Sequence, residues 1–294
     1  MIKAYMAKLV LLALLLIGIS LELYARIPLD RESMELKGEV KHLTEVDPEG
    51  NKTHYYFDRE GRLTRYWFEG NVYYRNTGIG CSILREYDGS GLLLKVKVKP
   101  DNSKERLLLE CSYSNGILSQ EVWYNEAIGT SANYGANITK THYDSLGMAI
   151  LVEEWDSSRL TSKLACTYDT EGRKVYQESV IYDEDIFSVS TSYIYDTKGR
   201  LTTEQIEGSE SSLEFQYAYN TENRLQSKQE VDSLTGEVVN KWLYQYNSAG
   251  LLQDVTVFAS WGEATDQAYS YDKVGNVVSE FHDPSESSFS YEYY

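Results

Sequence analysis

Tyr193-Ile194-Tyr195-Asp196-Thr197-Lys198-Gly199-Arg200-Leu201-Thr202 is the stretch that decides the fold, because close copies of it recur along most of the 294 residues. Tyr217 to Leu225 reads Y-A-Y-N-T-E-N-R-L, Tyr244 to Leu252 reads Y-Q-Y-N-S-A-G-L-L, and Tyr269 to Val277 reads Y-S-Y-D-K-V-G-N-V. Looser copies stand at Tyr55 to Leu63, Tyr87 to Leu93, Tyr143 to Ala149 and Tyr168 to Lys174. From Tyr143 to Tyr271 the motif tyrosines are 24 to 27 residues apart, a period that marks stacked supersecondary units.

Each position has a local reason. Tyr193 and Tyr195 alternate, so both rings stand on one side of a strand. Asp196 suits the start of a type I turn, and Gly199 supplies the positive φ that closes a three-residue hairpin loop with a bulge. Asn223 replaces that glycine in one copy, and Asn is the residue after Gly best tolerated in the left-handed region. At Asn115-Gly116 the loop is a residue shorter and carries the dipeptide preferred in a two-residue type I′ hairpin.

Looser turns fall midway between the motif turns, at Pro100-Asp101-Asn102, Asp183-Glu184-Asp185, Glu207-Gly208-Ser209 and Thr235-Gly236 among others. The expectation is an all-β, antiparallel hairpin meander of about twenty strands forming one long curled sheet, a shell or spiral, over residues 39–294. Its tyrosine face, as in Leu213, Phe215, Tyr217 and Tyr219, is buried, and the intervening Glu214 and Gln216 face water. After the turn the pattern changes parity: Leu252, Val255 and Val257 lie two, five and seven residues beyond Gly250. That fits either a bulge or apolar residues on both faces.

The motif Y-x-Y-D-x-x-G-R-L resembles the YD repeat of the RHS family of large bacterial surface and polymorphic-toxin proteins, in periodicity over about residues 40–294. The resemblance implies a curled β-shell, which in toxin members encloses a C-terminal toxic domain, and a link to carbohydrate binding. The chain ends within a repeat at Tyr291-Glu292-Tyr293-Tyr294 and lacks a counterpart of the family's proline- and aspartate-rich junction. The shell architecture is therefore expected here, and the toxin role is not.

Residues 1–25 read as a secretory signal peptide: Lys3 and Lys8, an apolar run from Leu9 to Ile19, and Leu23-Tyr24-Ala25 as the cleavage site. The run is too short for a stable membrane span. Residues 26–38 form a polar N-terminal leader. A net charge of −17 opposes binding to nucleic acid or anionic lipid. Cys81, Cys111 and Cys166 all fall on the tyrosine face of strands two apart, beyond disulfide reach, and are expected as buried free thiols.

No motif announces catalysis. His42, His54, His142 and His282 are scattered without metal-ligand spacing, and each motif aspartate is explained by its own turn. No cofactor, metal or catalytic group is expected. What remains is aromatic. Trp67, Trp123, Trp155 and Trp261 lie outside the tyrosine columns, and the long stretches 71–80 and 125–136 carry Tyr73, Tyr74, Tyr124 and Tyr134 among Gly and Asn. Tyr73, Tyr74, Tyr124, Tyr134 and Trp261 are the candidate ligand-binding residues. The expected function is an exported, non-enzymatic repeat scaffold at the cell surface or in the periplasm that binds a glycan or a surface protein. The alternatives are a shell or remnant of an RHS-type toxin system and a glycan-cleaving enzyme.

Overall fold

The structure, a computed structural model, describes residues 30–293 except 33, 49, 70, 73–74, 77–78, 102–103, 125–136, 184–185, 209–211, 234, 260–263 and 283–284. Every element among them is a strand. The first are β1 (Val40–Val46), β2 (Lys52–Phe57), β3 (Leu63–Glu69), β4 (Asn71–Val72), β5 (Arg75–Asn76), β6 (Ile79–Tyr87), β7 (Leu93–Pro100), β8 (Arg106–Ser114) and β9 (Ile117–Tyr124). Then come β10 (Asn137–Tyr143), β11 (Ala149–Asp156), β12 (Arg159–Tyr168), β13 (Lys174–Tyr182), β14 (Ile186–Tyr195), β15 (Leu201–Gly208) and β16 (Ser212–Tyr219). The last are β17 (Leu225–Asp232), β18 (Val238–Tyr246), β19 (Leu252–Ala259), β20 (Ala264–Tyr271), β21 (Val277–His282) and β22 (Ser285–Tyr293).

Twenty of these strands form one antiparallel sheet in which each pairs with its neighbours in sequence. The sheet does not remain open: β22 returns to pair with β1, Leu43 opposite Tyr291 and Glu45 opposite Phe289, so the meander closes into a barrel. The expected long curled sheet, a shell or spiral, is corrected to a closed barrel, and the physical reason is edge pairing. Closure gives the backbone N–H and C=O groups of both end strands a partner. The stretch 71–80, read as an irregular loop, is also more ordered than expected: β4 and β5 pair as a small ribbon, and Ile79 and Gly80 already belong to β6.

The motif turn is built as its residues dictate. Gly199, Asn223 and Gly250 have φ of 77°, 64° and 80°, and Asn115 and Gly116 both have positive φ. Asp196 Oδ1 accepts the N–H groups of Lys198 and Arg200, while Asp196 N–H donates to Arg200 O and Gly199 N–H to Asp196 O. Asp169 and Asn220 repeat the arrangement. A register shift beside each turn settles the parity question in favour of a bulge: Tyr246 pairs with Leu252, Tyr244 with Val255 and Trp242 with Val257. Leu252, Val255 and Val257 thus share the tyrosine face.

Two further contacts link one repeat to the next. Tyr143 excepted, whose hydroxyl goes to Glu121 Oε2, the tyrosine just before a motif turn donates its hydroxyl to the carbonyl that opens the preceding strand: Tyr195 to Lys174 O, Tyr219 to Leu201 O, Tyr246 to Leu225 O and Tyr271 to Leu252 O, at 2.5 to 2.9 Å. Tyr113, Tyr168 and Tyr291 do the same. At β6 Arg85 takes over and its Nη1 donates to Leu63 O at 2.7 Å. The motif arginine pairs with its own aspartate, as in Arg200 to Asp196, and lies over the next repeat's tyrosine, 4.7 Å from the Tyr219 ring. Arg173 over Tyr195 and Arg224 over Tyr246 repeat that stacking.

The two faces differ sharply. Val96 and Val98 are buried while Lys95, Lys97 and Lys99, which alternate with them, face the other way. We assign the buried, tyrosine-bearing face to the concave side, where curvature crowds side chains together. Around β1 to β9 this face is an apolar core of Leu43, Phe57, Leu63, Val96, Leu109 and Trp123, against which Met34 and Leu36 of the leader pack. The leader is docked rather than merely leading in: Arg31 N–H donates to Gly61 O, and buried Asn276 bonds both the N–H and the C=O of Lys37. Around β14 to β18 the core shrinks to Ile206, Leu213 and Phe215, and the tyrosines beside it are only half-buried. None of the three cysteines forms a disulfide; Cys81 and Cys111 are buried, Cys166 partly so, and burial pushes the first two thiols up to about 11.

Candidate functional site

Of the five candidate ligand-binding residues, Tyr124 alone is described; Tyr73, Tyr74, Tyr134 and Trp261 lie outside the described residues. Tyr124 closes β9 on the convex face, opposite Ile138, which is in turn opposite Trp155. Its hydroxyl donates to Glu110 Oε2 at 2.6 Å, and Lys95 Nζ holds the other oxygen at 2.8 Å. That hydrogen bond, with burial, pushes the Tyr124 phenol up to about 12. The remaining tryptophans are dispersed. Trp123 is buried in the concave core, Trp155 carries Lys140 over its ring at 4.7 Å, and Trp67 on β3 lies against Gly80, where a Cβ would come within 2.6 Å of its ring. No shared aromatic platform joins them.

A denser constellation stands on the concave face of β14 to β18. The bulge that follows each turn brings the eighth residue after the motif Asp or Asn opposite the first motif tyrosine: Glu204 faces Tyr193, Lys228 faces Tyr217, and Val255 faces Tyr244. Across the next strand pair, Glu204 is opposite Phe215, Phe215 opposite Glu230, and Lys228 opposite Trp242. One patch therefore collects Tyr193, Glu204, Phe215, Tyr217, Lys228, Glu230, Trp242 and Tyr244.

Lys228 is its centre. Its Nζ lies 4.0 Å from the centroid of Phe215, 5.3 Å from Trp242 and 5.6 Å from Tyr217. Among the described residues the ammonium forms no hydrogen bond or ion pair. Burial holds its pKa below the ordinary lysine value, and Glu204 and Glu230 oppose that shift from longer range. The carboxylates are each occupied. Glu204 Oε2 accepts the Tyr217 hydroxyl at 2.7 Å, and Glu230 Oε2 accepts Asn240 Nδ2 at 2.5 Å. Desolvation, reinforced by Glu204, pushes the Tyr217 phenol well above its usual range, so it remains a donor at any physiological pH.

Beside this patch Lys174 Nζ bonds Gln177 Oε1 at 3.1 Å and lies 5.7 Å from the Tyr193 ring. The surface thus alternates partly buried rings with engaged acceptors and two ammonium groups. Surfaces of this composition have the chemistry to stack on flat apolar faces and to exchange hydrogen bonds with hydroxyl groups. Sequence reasoning passed over it because it weighed loops and tryptophans rather than columns. Read down the array, the eighth position after the motif Asp or Asn is Gln177, Glu204, Lys228, Val255 and Glu280, and Lys228 is the cation in that column.

No family model and no curated relative matches the chain. Among solved structures, the Photorhabdus luminescens Tc holotoxin pore matches 79% of this chain at 14% identity with a TM-score of 0.34. This chain spans 15% of the length of that one. A porin-like protein from Bacteroides uniformis matches 87% of this chain and 99% of its own at 9% identity and a TM-score of 0.32. A porin-like protein from Bacteroides vulgatus matches 86% of this chain and 98% of its own at 14% identity and a TM-score of 0.32.

Proposed function

We propose that the protein is an exported, water-soluble, non-enzymatic β-shell that holds a glycan chain against the concave face of β14 to β18, in the periplasm or at the cell surface. The observation that carries this reading is the Lys228 patch. A packed protein core would bury its tyrosines and pair its lysine with a carboxylate, whereas here Tyr193, Tyr217 and Tyr244 are only partly buried and the Lys228 ammonium lies over three rings. A barrel of this strand number belongs to the size class that keeps room inside for a ligand. Sugar rings present an apolar face edged with hydroxyls, which Trp242 and the tyrosines complement by stacking and Lys228, Glu204 and Glu230 by hydrogen bonding. The inner carboxylates are engaged by Tyr217 and Asn240 rather than poised as a free acid and base, which favours binding over bond cleavage.

A lipid-embedded barrel is the reading that closure and strand number would otherwise invite. The convex face speaks against it. Lys97, Lys163, Glu178, Gln205, Gln216, Gln229 and Lys241 stand on it at mid-strand, and each lysine at a bilayer midplane would cost about 2 to 4 kcal/mol. The alternation is apolar inside and polar outside, the inverse of a lipid-facing wall.

The test is glycan-array binding by the chain and by Trp242→Ala and Lys228→Met variants. The expected outcome is retention of one glycan class that falls at least about tenfold in both variants, the loss of one stacking ring or one charged donor. Binding unaffected by both substitutions, or no binding to any glycan, overturns the assignment. Release of shorter saccharides from a bound glycan, abolished in Glu204→Gln, would instead establish an enzyme.

A further inference from the structure

The hairpin of β1 and β2 brings together two histidines that sequence spacing leaves apart. Thr44 pairs with His54 and His42 with Tyr56, so His42 and His54 are diagonal neighbours on the convex face. His42 Nε2 lies 3.2 Å from His54 Nδ1, and Thr44 Oγ1 lies 3.3 and 3.0 Å from the same two nitrogens. We propose that this pair is a binding site for a divalent transition metal such as Zn2+ or Cu2+, held by His42 Nε2 and His54 Nδ1 at the seam where the barrel closes.

Three observations carry the assignment. The nitrogen separation is close to the edge of a tetrahedral zinc site, about 3.4 Å for metal–nitrogen bonds of about 2.0–2.1 Å. The two nitrogens face one another, and a modest turn of each ring about its Cβ–Cγ bond would redirect both toward a common ion. The second observation is the carboxylate behind each imidazole. Glu292 Oε2 lies 3.9 Å from His42 Nδ1, and Glu69 Oε2 lies 3.8 Å from His54 Nε2. Metal-bound imidazoles characteristically give their other N–H to a carboxylate, which fixes the tautomer and raises ligand basicity. The third is restraint. Tyr56 stacks on His42 at 4.4 Å with ring planes 4° apart, and Lys41 holds Glu292 at 3.0 Å.

Among the described residues no group of three His, Cys, Asp or Glu converges on one point, so the site is bidentate in imidazole, with the Thr44 hydroxyl and water completing the shell. Imidazole ligands select borderline transition metals over Mg2+ and Ca2+. The position gives binding a consequence. His42 is on β1, His54 on β2 and Glu292 on β22, so an ion there ties the first hairpin together beside the strand that completes the barrel.

The experiment is thermal unfolding of the chain with Zn2+ from zero to 1 mM, with Mg2+ as control, alongside Cu2+ electron paramagnetic resonance of the same protein. The Tm of the native chain is expected to rise by about 3 °C or more with Zn2+ and not with Mg2+, because an ion that binds the folded state alone stabilises it. His42→Asn and His54→Ala are each expected to remove the rise, and His142→Ala to keep it. The Cu2+ spectrum is expected to show two coupled nitrogens, and it decides the matter should either histidine variant fail to fold. An unchanged Tm in native protein, an equal rise in the histidine variants, or a Cu2+ spectrum with fewer than two nitrogens overturns the proposal.

Discussion

Removing the hydroxyl from Tyr195, Tyr219 and Tyr246 by substitution with Phe isolates what joins one repeat to the next. Phe keeps the ring on which Arg173, Arg200 and Arg224 stack, so only the bonds to Lys174 O, Leu201 O and Leu225 O, at 2.7, 2.8 and 2.9 Å, are lost. Each hydroxyl-to-carbonyl bond contributes about 1 kcal/mol net. Equivalent strands of successive repeats lie two strand spacings apart, roughly 9–10 Å, so the losses should add, to about 3 kcal/mol for the triple variant. For a chain of this size that is a fall in Tm of about 2–4 °C per site and about 6–12 °C in all. Thermal melts followed by circular dichroism supply the measurement, with Tyr176→Phe, on the exposed face, as the control expected to stay at the native Tm. A triple variant within 2 °C of native, as an estimate of the scatter among surface substitutions, would refute the view that these hydroxyls link the repeats. So would an equal fall in the control.

Two further outcomes follow from the motif turn. At Gly199 an added Cβ would meet nothing nearer than Arg173 Nη1 at 3.6 Å, so the penalty of Gly199→Val is conformational, about 1 to 2 kcal/mol or more, and Gly199→Asn should cost much less; equal urea midpoints for the two variants would contradict the turn geometry. The backbone N–H of Arg200, then its side chain, hold the Asp196 carboxyl below the usual carboxylate range, as those of Arg173 do for Asp169. A depressed folded pKa contributes stability that is complete above the unfolded value near 4 and is lost as pH falls through the folded one. The difference in urea midpoint between the native chain and Asp196→Asn, which cannot titrate, should therefore be larger at pH 7 than at pH 2, and an undiminished difference at pH 2 would show that ionisation of Asp196 is irrelevant.

The repeat was legible because its determinants are local. Asp196, Gly199 and Leu201 specify a turn, a bulge and a face within six residues, and equivalent residues do so in copy after copy. The parity change at Leu252, Val255 and Val257 was visible, yet its cause became clear only from the register, since a bulge is a statement about two strands. Closure was not legible at all. It depends on twist accumulated over twenty strands and on pairing between Val40–Val46 and Ser285–Tyr293, which carry no signal that singles them out. The candidate site was missed for a related reason. Lys228 is ordinary beside Ser227 and Gln229 and informative only in a column with Glu204 and Val255, and His42 and His54 become neighbours only across a hairpin.

Closure of β22 onto β1 also constrains how such a chain can change length. In an up-and-down ring the direction of each strand is set by its parity, so the last strand runs antiparallel to the first only when the total is even, as twenty is. Gaining or losing a single strand would present β1 with a parallel partner and strand the seam. Gaining a whole hairpin, the unit that each motif turn encodes, preserves direction and enlarges the circumference by two strands. Size in this architecture is therefore quantised: the barrel can widen or narrow by one repeat at a time and still have no edge.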